Sequence, residues 1–545
     1  MPHHRDNDRL SSGDALFLHL EREGMPLNVA SVNVFEGVIS LEACTQFIEL
    51  KLPRSPRYLQ RVVAPRFNIG LPTWEYDSNF EVRNHVHEVT LKRGTDAEFK
   101  AVAGKVLSKV MDRQRPLWDF TLVRGLKGDR TGVVFRMHHC LSDGMAGVGL
   151  LNVIMDPSPE VRPLPEKKRF HAPPRRDALT LLLDRLVTSP FSLAQWVLTA
   201  QMELVNVFQH VLAAAGHAAE ESNTHLQPGF NSDAPIPSVN ELTRLLLELT
   251  AGTRPLPFNI VCRGPQKFRW ADIPMADIKA VKQACGATVN DVVLTLVTSA
   301  IRQYAELQGV RMRGRLLRIV VPVSVRGQEN ESDLGNRITF LPVTIPLDIR
   351  NPRKLLAAIR ERMAFLKSAH VGEFVGLAGT MLGTIPTAAQ VLVGPIASQL
   401  PLGLCNIICT NVPGPKTPLY LLGHKMLRCY PYVPIGGDMG VNCAVLTYDG
   451  TAYFGFTGDV HAAPNLGRLE KFLTTSLAEL QKAIGIGPPR RSSAPAEAKA
   501  TPAATPAPAP EQPLMSPAIR IPAKSVCTPK TTTQQENVLL ARVGA

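Results

Sequence analysis

Two adjacent histidines, His138 and His139, are the side chains in this sequence best suited to acid–base chemistry. Histidine titrates at about pH 6.5, so a neutral imidazole is available at physiological pH to accept a proton. Asp143 and Gly144 follow at a fixed spacing and complete the string HHxxxDG. The aspartate could hold an arginine or cap a helix, and the glycine would let the chain pass close to a substrate. Adjacent histidines alone are often a surface pair without a role, but the complete string indicates a functional loop.

The elements around this string would place it at the edge of a cleft. Residues 132–137 (GVVFRM) predict a short buried strand directly before the histidines, and residues 145–155 predict an apolar helix directly after them. A strand of this kind fixes the backbone of the first histidine. The loop that follows the strand is then free to open toward a substrate.

The second half of the chain also mixes strands and helices. Asp449 and Gly450 form a strong β-hairpin signal between two apolar segments. The apolar spacing over 289–304 predicts a helix, and Thr288 and Asp291 have the spacing of a capping box at its start. Strands are predicted over 317–325, 338–346, 405–410, 441–448 and 451–456.

Composition and charge exclude several classes of protein. The chain has 545 residues, of which 45% are hydrophobic and 20% charged, as in a folded protein with a sizeable core. The formal net charge is +13, but the basic residues are diffuse and lack interleaved aromatic residues, which argues against nucleic acid. The nine cysteines contain no CxxC pair, which favours reduced thiols in the cytoplasm.

Other catalytic or metal-binding motifs are absent from the sequence. It contains no GxSxG, P-loop or HExxH motif. His85, His87 and Glu88 could suggest a metal site, but strand alternation beside neighbouring valines explains them more simply. We therefore predict that the protein holds no metal ion.

Proline-rich segments divide the chain into four parts. We predict an N-terminal subdomain over 1–156, a crossover linker with helices over 157–239, a C-terminal subdomain over 240–486, and a disordered Pro/Ala-rich tail over 487–545. The sequence begins without a signal-peptide pattern. Residues 374–415 contain no charged side chain, but prolines interrupt them, so we expect them to be buried or to lie at a membrane surface.

These residues resemble a known family. HHxxxDG is the signature of CoA-dependent acyltransferases built like chloramphenicol acetyltransferase, and further segments resemble the bacterial wax ester synthase/acyl-CoA:diacylglycerol acyltransferase family. The resemblance covers about residues 10–485. The matching segments, in the family's order, are LSSGDALF at 10–17 with Glu21, RPLWDF at 115–120, GATVNDVVL at 286–294, VPVSVR at 321–326 with LGNR at 334–337, NVPGP at 411–415, and YDG at 448–450 with Asp459.

The resemblance implies an α/β fold of two chloramphenicol-acetyltransferase-like subdomains with mixed sheets around a central tunnel. It implies that His139 is the general base, that His138 supports it, and that Asp143 and Gly144 shape the loop. Asn290 resembles the asparagine of the family's ND motif. It is a candidate oxyanion donor, or a helix-start residue that bonds only backbone.

The resemblance also suggests which residues line the substrate site. Pro116, Leu117 and Trp118 could contact substrate or pack in the core, and Asn411, Pro413 and Gly414 could line the tunnel or form a plain loop.

The implied reaction needs no cofactor, because acyl-CoA is itself a substrate. The acceptor is diacylglycerol or a long-chain alcohol, and the basic balance suits the phosphates of CoA and an anionic membrane or lipid-droplet surface. The expected location is therefore cytoplasmic and peripheral to membranes or lipid inclusions. Two alternatives remain: an acyltransferase with another alcohol or an amine as acceptor, and a catalytically idle lipid-droplet-binding relative.

Overall fold

A computed structural model describes residues 9–65, 70–141, 154–160, 253–324, 338–368, 387–401 and 403–487. Several predictions lie outside these residues. They concern Asp143, Gly144, nearly all of the helix predicted over 145–155, all but residues 157–160 of the crossover predicted over 157–239, and all but residue 487 of the tail predicted over 487–545.

The described residues form eight α-helices, three short 3-10 helices and fourteen strands. The α-helices are α1 (Ser12–Leu20), α2 (Leu41–Lys51), α3 (Asp96–Leu107), α4 (Met275–Cys285), α5 (Val289–Leu307), α6 (Pro352–Ser368), α7 (Thr387–Ala397) and α8 (Arg468–Ala483). Short 3-10 helices are Leu52–Arg54, Pro56–Leu59 and Val82–Asn84. The strands are β1 (Asn28–Glu36), β2 (Gln60–Val63), β3 (Thr73–Tyr76), β4 (Val86–Thr90), β5 (Trp118–Leu126), β6 (Arg130–His138), β7 (Gln266–Pro274), β8 (Leu316–Ser324), β9 (Ile338–Pro346), β10 (Ile407–Pro413), β11 (Tyr420–Leu421), β12 (His424–Tyr432), β13 (Val441–Tyr448) and β14 (Thr451–Asp459).

Two six-stranded mixed sheets form the framework. The first sheet has the order β11-β12-β1-β6-β5-β4 and the second β7-β14-β13-β10-β8-β9, while β2 and β3 form a separate ribbon. Parallel pairs occur at β4–β5 in the first sheet and at β13–β10–β8 in the second. Each sheet packs helices against an apolar core. The predicted α/β fold with two mixed-sheet subdomains is confirmed.

One strand of the first sheet comes from the C-terminal half of the chain. β12 pairs antiparallel with β1, with Val32 opposite Tyr430. The ring of Tyr430 in turn stacks on Trp270 of β7, with ring centroids 4.9 Å apart. The core of the first sheet therefore includes side chains from both halves of the sequence, which ties the two sheets together.

Local sequence signals account for several elements. The predicted hairpin forms between β13 and β14, and Asp449 and Gly450 have φ angles of 41° and 76°, as the tight turn requires. The predicted capping box at the start of α5 also forms: the Asp291 carboxylate accepts the Thr288 amide, and the Thr288 hydroxyl accepts the Asp291 amide. α5 is buried over most of its surface and serves as the central helix of the second core.

No single described helix is long and apolar enough to cross a membrane. α4 and α5 reach the required length and composition only as a pair, and that pair is bent by 105°.

Candidate active site

The two histidines lie at the carboxyl end of the buried strand β6. The amide of His138 donates to the carbonyl of Leu117 at 2.9 Å, and the amide of His139 donates to the carbonyl of Leu27 at 2.9 Å. Leu27 directly precedes β1 and Leu117 directly precedes β5, the two strands on either side of β6. The backbone of the pair is thus held from both sides.

The ring of His138 is completely buried. Its Nδ1 accepts the amide of Cys140 at 3.1 Å, which leaves the ring proton on Nε2. Nε2 lies 3.4 Å from the Oε1 of Glu21. This arrangement directs the two ring nitrogens of His138 to the backbone and to a carboxylate inside the protein, and its supporting role remains a prediction.

The ring of His139 is in a different setting. It stacks on Phe17 of α1, with centroids 4.0 Å apart and an interplanar angle of 14°. Its Nδ1 is buried without a hydrogen bond of good geometry to a described residue. Burial lowers the pKa of His139 from 6.5 to about 4; its own backbone carbonyl opposes this shift and His138 adds to it. The imidazole is therefore neutral at physiological pH, the state a base requires.

Glu21 has a buried carboxylate and is not among the site residues predicted from the sequence, although it belongs to a motif of the family. Its Oε1 accepts the amide of Leu27 at 3.0 Å, and its Oε2 lies 3.1 Å from Nη2 of Arg113. Burial alone raises its pKa, but His138, the Leu27 amide and Arg113 lower it below its usual range. Glu21 and Phe17 are more than 100 residues before the histidines in the sequence. For this reason neither the contact of Glu21 with His138 nor the stacking of Phe17 on His139 was predicted.

The three residues 116–118 are all buried. The indole Nε1 of Trp118 donates to the carbonyl of Tyr58 at 2.8 Å, and the indole stacks on His85. His85 also forms a hydrogen bond to the carbonyl of Trp118 through Nδ1. These two contacts with Trp118 account for the position of His85. Pro116, Leu117 and Trp118 thus pack in the core beneath the histidines, and a contact with substrate remains a prediction.

Asn290 and Asn411 come together although 121 residues separate them. Asn290 is in the first turn of α5, and its Oδ1 accepts the Nδ2 of Asn411 at 3.5 Å. Asn411 and Pro413 belong to β10 and pair in parallel with β13, so they continue the strand predicted for 405–410 and do not form a plain loop. A Cβ at Gly414 would lie 2.3 Å from the carbonyl oxygen of Thr447, so this close approach requires glycine.

Two mixed sheets, the first of which includes β12 from the C-terminal half of the chain, with a histidine pair at the end of a central strand, define the class of two-lobed acyltransferases. The chain belongs to the wax ester synthase/diacylglycerol acyltransferase family. The family's catalytic-domain model matches residues 10–293, and its C-terminal-domain model matches residues 334–481.

Individual relatives agree with this family. The chain is 25% identical over 478 residues to the probable diacylglycerol O-acyltransferase tgs1 of Mycobacterium tuberculosis, covering 87% of this chain and 96% of tgs1. It is 26% identical over 494 residues to tgs2 of the same species, with 88% and 100% coverage.

Solved structures share the fold. The wax ester synthase/diacylglycerol acyltransferase of Marinobacter aquaeolei VT8 superposes with a TM-score of 0.58 at 22% identity, over 88% of this chain and 100% of that one. The first condensation domain of the CDA synthetase gives a TM-score of 0.51 at 13% identity, over 88% and 97%.

Proposed function

We propose that the protein transfers a long-chain acyl group from acyl-CoA to the hydroxyl of diacylglycerol, with His139 as general base. Membership of the family and the names of tgs1 and tgs2 support the substrate class. The observation that carries the mechanism is the position of the His139 imidazole, held at the end of β6 by its backbone amide and by stacking on Phe17, where burial lowers its pKa.

The proposed reaction is a direct transfer. His139 takes the hydroxyl proton through Nε2, because Nδ1 is enclosed by protein. The oxygen attacks the thioester carbonyl, and the tetrahedral intermediate collapses: a carbon–oxygen bond replaces the carbon–sulfur bond, and the proton passes from His139 to the sulfur of CoA. No acyl-enzyme is formed, and no metal or cofactor takes part.

The low pKa of His139 sets a requirement for this chemistry. A ring with a pKa of about 4 is always neutral at physiological pH, but it is a weak base toward an alcohol. The proton must therefore move from the hydroxyl to His139 while the hydroxyl oxygen attacks. The negative charge that develops on the thioester carbonyl oxygen then stabilises the imidazolium.

Asn290 is the proposed hydrogen-bond donor to that oxyanion. Its carbonyl oxygen accepts Asn411, so the amide group is oriented with its own NH₂ directed elsewhere. An amide NH₂ is a donor that can stabilise an oxyanion. Asn411 then acts by orienting Asn290.

A long-chain alcohol is the second proposed acceptor, since the family includes wax ester synthases. It presents the same primary hydroxyl to His139. Protein with acyl-CoA and either diacylglycerol or hexadecanol would measure the preference directly.

We further propose that the protein acts at the surface of a membrane or lipid inclusion. α7 and the residues after it expose five large apolar side chains, Leu392, Val393, Ile396, Leu400 and Leu404, within a stretch that contains no charged residue. A patch of this kind suits an apolar lipid surface. Gly394, on the same helix, lies against the backbone of His19 in α1, the helix that carries Phe17, so the patch adjoins the catalytic lobe.

The test uses purified protein with a labelled long-chain acyl-CoA and each acceptor. We expect the His139→Ala variant to lose activity by at least about 10²-fold, in line with the loss of a general base. His87→Ala, an exposed histidine on β4, is the matched control and should keep wild-type turnover. Equal turnover by His139→Ala would remove His139 as the base. Absence of wild-type turnover with every alcohol or amine would favour an idle lipid-binding protein.

A further inference from the structure

The buried carboxylate of Glu21 has three polar partners inside the protein. Its side chain is 1% exposed and meets the amide of Leu27 at 3.0 Å, Nη2 of Arg113 at 3.1 Å and Nε2 of His138 at 3.4 Å. A buried charge is costly unless it is paired and hydrogen-bonded. These partners lie on three separate segments of the chain, so the carboxylate ties the segments together.

Two of these partners, Leu27 and His138, also hydrogen-bond the backbone amides of His139 and Cys140. The amide of Leu27 donates to Glu21, and the carbonyl of Leu27 accepts the amide of His139 at 2.9 Å. The ring of His138 faces Glu21 through Nε2 and accepts the amide of Cys140 through Nδ1 at 3.1 Å. The peptide groups on both sides of the Cα of His139 are thus each one residue away from Glu21.

We infer that Glu21 is a positioning residue for acyl transfer, which holds the backbone on both sides of His139 through Leu27 and His138. The inference rests on the proposed function, because it assigns Glu21 to the reaction in which His139 is the base. Hydrogen bonds to an ionised acceptor are about twice as strong as neutral ones, so the charge of Glu21 matters as well as its shape. Misplacement of a catalytic group by about 1 Å can cost about 10²-fold in rate.

The contacts of Arg113 allow this positioning role to be distinguished from simple support of the fold. It also donates to the carbonyl of Leu18 at 2.7 Å, so α1 keeps an anchor of its own when the charge at position 21 is removed. A glutamine at position 21 retains the volume and one acceptor. It cannot, however, offer a charged oxygen to Leu27, His138 and Arg113 at once.

The first test is the kinetics of Glu21→Gln. We expect kcat to fall about 10- to 100-fold, while KM for acyl-CoA changes by less than about twofold, because binding groups are untouched. The control is Glu98→Gln, another carboxylate of the same lobe that accepts three backbone amides, those of residues 92–94, with no link to the histidines. It should keep the wild-type kcat. A wild-type kcat in Glu21→Gln would overturn the inference.

A double-mutant cycle identifies the route. The variants are Glu21→Gln, His138→Gln and the two together. If Glu21 acts partly through His138, the double variant should be no slower than the slower single variant within about twofold. Rate losses that multiply would contradict the inference. If Glu21→Gln does not fold, Glu21→Asp keeps the charge but shortens the reach, and it should lower kcat without changing KM.

A readout that needs no turnover separates this inference from the proposed function. In protein labelled with ¹⁵N-histidine, NMR should show the proton of His138 on Nε2, with the signal assigned from its loss in His138→Gln. We expect Glu21→Gln to change that signal and Glu98→Gln to leave it unchanged. An unaltered His138 signal in Glu21→Gln would overturn the inference even if no acceptor for the acyl group had been found.

Discussion

The ring of Phe17 lies parallel to the ring of His139, with centroids 4.0 Å apart. Phe17 is in the last turns of α1 and is partly exposed, so it adds little to the hydrophobic core. Its ring contacts the imidazole of the proposed base. Stacking restricts the rotation of the imidazole and helps to exclude water from one of its faces.

We therefore predict that Phe17→Ala lowers kcat by about 10-fold while the melting temperature changes little. The reason is that the variant frees the ring of His139 without opening the core. Leu20→Ala, on the next turn of the same helix and also partly exposed, is the control for damage to α1. Equal losses in the two variants would assign the effect to the helix and not to the stacking.

The pH dependence of activity follows from the lowered pKa of His139. Because burial lowers this pKa to about 4, the base is neutral from pH 5.5 to pH 8 in the free enzyme. We expect kcat/KM to be flat over this range, with its acidic limb nearer pH 4. A limb centred near 6.5, the ordinary value for histidine, would show that His139 is more hydrated than its surroundings here imply.

Stability should depend on pH through the same group. His139 has an ordinary pKa of 6.5 in the unfolded chain and about 4 in the folded protein, so the unfolded state binds its proton first as the pH falls. Its contribution is therefore complete above pH 6.5 and is lost toward pH 4. We expect the melting temperature of the wild type to fall more between these values than that of His139→Gln. His19 and His85, whose pKa values burial also lowers, titrate in both proteins and cancel in the comparison.

Local signals explain why much of the fold could be predicted from the sequence. The strand before His138 is mostly apolar over 132–137, the hairpin has Asp449 and Gly450 at its turn, and the start of α5 has a capping box. Each of these features depends on residues within a few positions of one another. Propensity and periodicity are sufficient to detect such features.

The parts that could not be predicted depend on pairing over long distances. β12 joins β1 although about 400 residues separate them, and nothing in either strand specifies the partner. The position of Glu21 beside His138 has the same origin, since a carboxylate is stable there only because Leu27, Arg113 and His138 converge on it. The motif at 10–17 with Glu21 suggested family membership but gave no contact.

The contact between Asn411 and Asn290 gives a prediction about the oxyanion. Asn290→Ala should lower kcat by about 10²–10³-fold with little change in KM, as does loss of a single oxyanion donor in other enzymes. Asn411→Ala removes only the group that orients Asn290, so about 10-fold is expected. The control is Asn351→Ala, because Asn351 also lies at the start of a helix, where it accepts the amide of Lys354. If Asn351→Ala slowed turnover as much as Asn290→Ala, the loss of a residue at a helix start would account for the effect.

The exposed apolar patch on α7 can be tested without reference to catalysis. Leu392 and Ile396 are 73% and 61% exposed and lie one helical turn apart, so replacing both with glutamate should leave the fold intact. Sedimentation with vesicles of anionic and neutral phospholipid should show weaker binding by this variant, because a carboxylate resists transfer into the acyl-chain boundary. The control is Val38→Glu, because Val38 is another exposed apolar residue (58% exposed), and this variant should bind as the wild type does.

Unchanged vesicle binding by the α7 variant, with an unchanged melting temperature, would show that the lipid surface is contacted by another part of the protein. If binding falls but turnover of a detergent-dispersed acceptor stays at the wild-type level, the patch serves to reach lipid and takes no part in the chemistry at His139.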